Sequence, residues 1–166
     1  MATDKIGNLI IGYKKPGGEG IYMTIETRDF GKMELNEDEL VVFRSPIYGF
    51  EALERYALLS DDETAEGLMW LQSVDEPGTC FILLDPVEVG IDNYSPELPE
   101  DIAAMLELES MPAVRLIAVV PADFRDTTVN LKSPIIINPK NKLAAQVILD
   151  ADYPIRMRLF ESKEEA

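Results

Sequence analysis

The stretch that most constrains this chain runs from Gly67 to Pro86 and reads GLMWLQSVDEPGTCFILLDP. Two apolar runs, Leu68–Val74 and Cys80–Leu84, flank Asp75-Glu76-Pro77-Gly78. Pro followed by Gly fits the two corners of a type II turn, since Gly takes a positive φ without strain. A loop this short between two such runs predicts a β-hairpin. The second run is apolar almost throughout, as a strand covered on both faces should be. The hairpin is therefore expected at the centre of the core, with Trp70 and Phe81 among the buried residues.

The flanking sequence continues in strand-sized pieces. Tyr22–Thr27 alternates, Asp29-Phe30-Gly31 turns, and Lys32–Leu35 returns as its partner. Leu40–Phe43 predicts a third strand and Ala57–Leu59 another. Phe50, Leu53 and Tyr56 have the spacing of a one- to two-turn helix facing the core. Pro99 fits the first position of a second helix, with Glu100 and Asp101 at its positive end. Leu98, Ile102, Met105 and Leu106 would line its inner face. Val114–Val120 predicts a long strand interrupted by Arg115, and Thr128–Leu131, Ile135–Ile137 and Leu143–Ile148 complete the set. Short strands with frequent turns predict a mainly β fold, a small antiparallel β-barrel-like domain with one or two short helices. The expected division is an N-terminal extension over 1–20, one domain over 21–158 and an acidic tail over 159–166.

Composition narrows function. The chain has 31 acidic and 15 basic residues, a net charge of −16, and no histidine. Such a surface repels phosphate backbones, so direct nucleic-acid binding is not expected, whereas a basic protein partner would be attracted. Without histidine there is no His-based triad and no common zinc site. No apolar run approaches the ~20 residues of a membrane helix. Cys80, the one cysteine, reads as a buried small hydrophobe. Asp75 and Asp85 at the two ends of the hairpin could serve as an acid–base pair in a small carboxylate-dependent hydrolase of β-barrel type. Their setting beside Pro and Gly reads instead as turn chemistry. The acidic run Asp61-Asp62-Glu63 lacks calcium-loop spacing. No catalytic residue, metal site or cofactor is expected.

The central stretch also carries a resemblance. WLQSVD, then Pro-Gly, Phe and Asp-Pro, resembles the signature of the FliW family of flagellar assembly factors. Further blocks follow in family order: TRDFGKMEL from Thr27, GFE from Gly49, NYSPEL from Asn93 and TVNLKSPIIINPKNKLAAQVIL from Thr128. The segment before GFE departs from the family's Pro- and Gly-rich pattern at Arg44, Pro46 and Tyr48. The resemblance implies a small β-barrel-like fold in a cytoplasmic, non-catalytic regulatory protein. It implies two partners: the carbon storage regulator CsrA, a small RNA-binding dimer, and flagellin, exchanged to control flagellin synthesis. Recognition is expected from loops, with Tyr94 and Glu97 in NYSPEL and Tyr48 in the preceding loop as candidate partner-binding residues.

Overall fold

The computed structural model describes residues 21–60 and 67–160. The extension before Ile21, the acidic run at 61–64 and the end of the tail lie outside the described residues. Among the described residues eleven strands and one α-helix follow one another. They are β1 (Tyr22–Thr27), β2 (Gly31–Asn36), β3 (Val41–Ser45), β4 (Arg55–Ser60), β5 (Leu68–Ser73), β6 (Cys80–Leu84), α1 (Glu100–Met105), β7 (Ala113–Val119), β8 (Thr128–Val129), β9 (Ile135–Ile137), β10 (Leu143–Gln146) and β11 (Met157–Arg158).

Strands β7-β6-β5-β4-β3-β10-β9 are hydrogen-bonded in that order, and β9 pairs back with β7, so seven strands close into a barrel. All pairings in the ring are antiparallel except β3 with β10, which is parallel and slips register at Ala144/Ala145. The β8–β11 pair continues from the outer side of β7. The mainly β, barrel-type expectation agrees with this architecture.

Alternation along the strands separates inside from outside. Val41, Phe43, Tyr56, Met69, Leu71, Leu83, Ile135, Ile137 and Ala144 fill the barrel. Residues between them face outward, where three covers bury them. The β1–β2 hairpin lays Ile25, Met33 and Leu35 over Ala57 and Leu59. Helix α1 lays Ile102 and Leu106 over Ile136, Leu143 and Ala145. Residues from the 85–94 loop and from β11 and its flanks cover Leu84, Leu116 and Ala118. Coverage on both sides is why β6 is apolar throughout, and β5 from Leu68 to Leu71, rather than alternating.

Several local expectations are corrected. Trp70 and Phe81 are half-buried rather than fully enclosed. Trp70 pairs with Ile82 and Phe81 with Leu71, so the two rings lie on opposite faces of the hairpin. Trp70 lies outside the barrel, edge-on to Phe30 of the covering hairpin at 5.2 Å. Phe81 meets Phe50 edge-on at 5.0 Å and Tyr56 at 6.2 Å. The turn Glu76–Thr79 closes with a 2.9 Å bond from Thr79 N–H to Glu76 O, but Gly78 does not take the positive φ of a type II turn. Pro77 is equally at home at the first corner of a type I turn. No helix forms at Phe50–Tyr56: two turns connect β3 to β4, and Tyr56 is a fully buried strand residue. Burial pushes its hydroxyl up to about 12. On α1, Met105 is 37% exposed, while Leu98, Ile102 and Leu106 form the inner face.

The C-terminal end of α1 is held by the turn between β9 and β10. Buried Asn138 donates from Nδ2 to Leu106 O at 2.8 Å and Glu107 O at 3.2 Å, and Asn141 donates to Leu106 O at 3.1 Å. These amides satisfy carbonyls that a helix leaves unpaired at its end. Asn138→Ala should therefore cost about 2 kcal/mol, measured by urea unfolding, with faster amide exchange on α1 than elsewhere. Unchanged stability and exchange would remove Asn138 from this role.

Candidate partner-binding surface

The covers leave an apolar groove beside β6 and β7. Leu84 and Leu68 belong to its floor, Val89 comes from the loop after β6, Val120 and Phe124 from the loop after β7, and Leu159 and Phe160 from the chain beyond β11. Its volume is about 570 Å³. Phe124 is 63% exposed, Val120 43% and Phe160 41%, and Val119 beside them is 64% exposed. Contiguous exposed apolar side chains on a soluble fold mark an interaction surface more often than scattered single ones.

Local chemistry explains why Phe124 stands out. Pro121 ends the β7 run, and Asp123 accepts from Arg125 N–H at 3.0 Å, capping a single 3₁₀ turn over Phe124–Asp126. The Arg125 guanidinium grips the same carboxylate at 2.9 and 3.0 Å, and together these donors hold Asp123 below its usual pKa. Arg158 bonds Asp126 at 3.1 Å, and Leu159 N–H donates to Thr127 O at 3.0 Å, tying the turn to β11. Phe124 and Phe160 meet edge-on at 5.8 Å. The basic groups around the groove are thus matched by carboxylates, and its floor is apolar.

The three residues expected at partner contacts are placed separately. Tyr48 is 78% exposed, and its backbone N–H donates to Gln146 Oε1 at 2.7 Å. Glu97 is exposed on the segment leading to α1. Tyr94 is half-buried within the same apolar layer as Leu68, Leu84 and Val89. Its hydroxyl donates to Leu131 O at 2.7 Å, and its ring meets Tyr153 edge-on at 5.0 Å. Burial pushes that hydroxyl's pKa up, with a smaller contribution from Tyr153. Among the described residues no hydrogen bond or ring contact joins Tyr48 to Tyr94. The groove itself was missed in sequence because its residues come from five separate segments. The available signal was Phe124, a lone aromatic within the polar ADFRD.

Asp75 and Asp85 stand at opposite ends of the β5–β6 hairpin, each facing its own arginine. Arg55 bonds Asp75 at 2.7 Å, and Arg115 lies 3.4 Å from Asp85. They are not an acid–base pair. Cys80 is buried, and desolvation pushes its thiol up to about 11. Among the described residues no three His, Cys, Asp or Glu side chains converge as a metal site, and no helix is long and apolar enough to cross a membrane.

Comparison with known proteins matches this architecture. The sequence model of the family described as FliW protein matches residues 24–159. The flagellar assembly factor FliW of Caldicellulosiruptor saccharolyticus is 36% identical over 141 residues, covering 83% of this chain and 91% of its own length. That of Caldanaerobacter subterraneus subsp. tengcongensis is 35% identical over 147 residues, covering 87% and 97%. A crystal structure of the flagellar assembly factor FliW superposes with a TM-score of 0.77 at 33% identity, covering 85% of this chain and 99% of its own. A closed barrel with these three covers, matched over nearly its whole length in sequence and in space, places this chain in the FliW family of flagellar assembly factors.

Proposed function

We propose that this protein works in flagellar assembly by binding rather than by catalysis, with the carbon storage regulator and flagellin as alternative partners. The carrying observation is the groove at Val120, Phe124 and Phe160, an exposed apolar surface on a body whose net charge is −16. An apolar segment of a partner fills such a groove, while the surrounding acidity draws in a basic protein and turns RNA away. Exchange between partners then follows from mass action at overlapping surfaces, and the reaction takes place in the cytoplasm. Tyr48 and Glu97 are exposed and supply rim contacts; Tyr94 supports the groove from beneath.

Equilibrium binding to each purified partner tests this. Phe124→Asp should weaken at least one partner by about tenfold or more, roughly 1.4 kcal/mol, with circular dichroism and melting temperature unchanged because Phe124 is exposed. Wild-type affinity for both partners in Phe124→Asp and in Phe160→Ala would place recognition elsewhere. Binding to neither partner by the wild-type protein would overturn the functional reading itself.

A further inference from the structure

A second feature is independent of the groove. One end of the barrel, where β3, β5, β7 and β10 begin, opens into a cavity of about 160 Å³. Val41, Leu58, Met69 and Ile137 supply apolar wall, and Arg115, Lys142 and Glu39 supply the charge. Arg115 is the residue that interrupts the apolar β7 strand, and its side chain is only 22% exposed. Its Nη1 donates to Val114 O at 2.9 Å, and Asp85 lies 3.4 Å away, too far for a strong charge-assisted bond. That carboxylate also accepts from Val87 N–H at 3.0 Å. Arg115 Nε is buried and finds no acceptor among the described residues. Lys142, half-buried and held at φ 64°, makes no ion pair among the described residues.

A buried donor without an acceptor is destabilising, and native folds keep few of them. Here the donor belongs to a cation at an apolar cavity, with a second cation on its rim. We propose that this barrel mouth is a receptor for a small aliphatic carboxylate. The carboxylate meets the Arg115 guanidinium and Lys142 Nζ, and the stem lies against Val41, Leu58, Met69 and Ile137. The volume suits a stem of a few carbons, being the liquid share of about five waters at ~30 Å³ each. Glu39 on the rim opposes the ligand's charge and limits its affinity.

The test is titration of the ¹⁵N-labelled full-length protein with isovalerate at constant ionic strength, followed at the Arg115 Nε–H resonance and the Ala113, Ile137 and Lys142 amides. Isovalerate should shift these signals saturably, formate should bind more weakly for lack of a stem, and neutral isovaleramide should not bind. Glu39→Gln should tighten isovalerate and Lys142→Gln weaken it, each by about threefold, the scale of a partly exposed charge pair. Arg115→Leu should abolish binding; the two rim variants carry the test if that variant does not fold. An absence of saturable shifts, equal shifts from acid and amide, or unchanged affinity in both rim variants would overturn the assignment.

Discussion

Gln72→Leu should lower the protein's stability by about 3 kcal/mol, seen as a fall in melting temperature of about 6–12 °C. Gln72 is fully buried at the point where the β1–β2 hairpin docks on the barrel. Its Oε1 accepts from Arg28 N–H at 2.9 Å. Its Nε2 donates to Ser73 O and Pro77 O at 3.0 Å and approaches Thr79 O at 3.3 Å. One amide thus bonds the turn of the first hairpin and the turn of the second. Arg28 adds a second tie, from Nη1 to Cys80 O at 2.8 Å. Leucine keeps the volume but strands the Arg28 N–H and removes the side-chain donor to Ser73 O and Pro77 O, while Thr79 O keeps its bond from Ser73 N–H. Gln72→Glu should be at least as damaging, because an ionised carboxylate cannot donate to those carbonyls. A melting temperature within a degree of wild type for both variants would show that water or local adjustment replaces the amide.

Gly67→Ala should cost about 3 kcal/mol, combining left-handed strain with overpacking. Gly67 has φ +83°, and a Cβ there would stand 2.6 Å from Glu88 Cβ. The close approach is structural, because Gly67 O accepts from Asp85 N–H at 2.8 Å as the hairpin's open end is pinned. Gly78→Ala is the matched control. A Cβ at Gly78 meets nothing within 4 Å, and its φ lies outside the left-handed region. Alanine there should be neutral or stabilising by up to about 1 kcal/mol, by restricting the unfolded chain. Chemical denaturation of both variants decides the matter: equal stability would mean that neither contact nor conformation distinguishes the two glycines.

Strand positions were legible because alternation and turn residues are local signals. Tyr22–Thr27, Cys80–Leu84 and Ile135–Ile137 fall where those signals put them. Burial within a strand was less legible. Trp70 and Phe81 sit in equally apolar runs, yet one faces the covering hairpin and the other the barrel interior. Nothing local distinguishes a strand's two faces when both are covered. Phe50, Leu53 and Tyr56 have helical spacing, but the chain there turns across the end of the barrel and Phe50 packs edge-on to Phe81. Tertiary closure overrode periodicity. Candidate contacts followed the same divide. Tyr48 could be placed on an exposed loop from its neighbours, whereas the inward bond of Tyr94 to Leu131 depends on a contact 37 residues away. The barrel-mouth arginine was visible as an interruption in β7; its cavity was not.

The parallel pairing of β3 with β10 has a consequence for how the protein is made. Leu143 lies against Val42, so the ring is closed by segments about a hundred residues apart. Parallel pairing over such a span carries a large loop-closure cost before any contact rewards it. At translation rates of about 5–20 residues per second, β3 leaves the ribosome roughly 5–20 s before β10 can join it. During that interval the β3–β6 meander has a free edge, and its inward-facing Val41, Phe43 and Leu71 lack the opposite wall of the barrel. Newly made chains are accordingly most exposed to aggregation before Leu143–Gln146 is synthesised, and truncation before that strand should leave an open sheet.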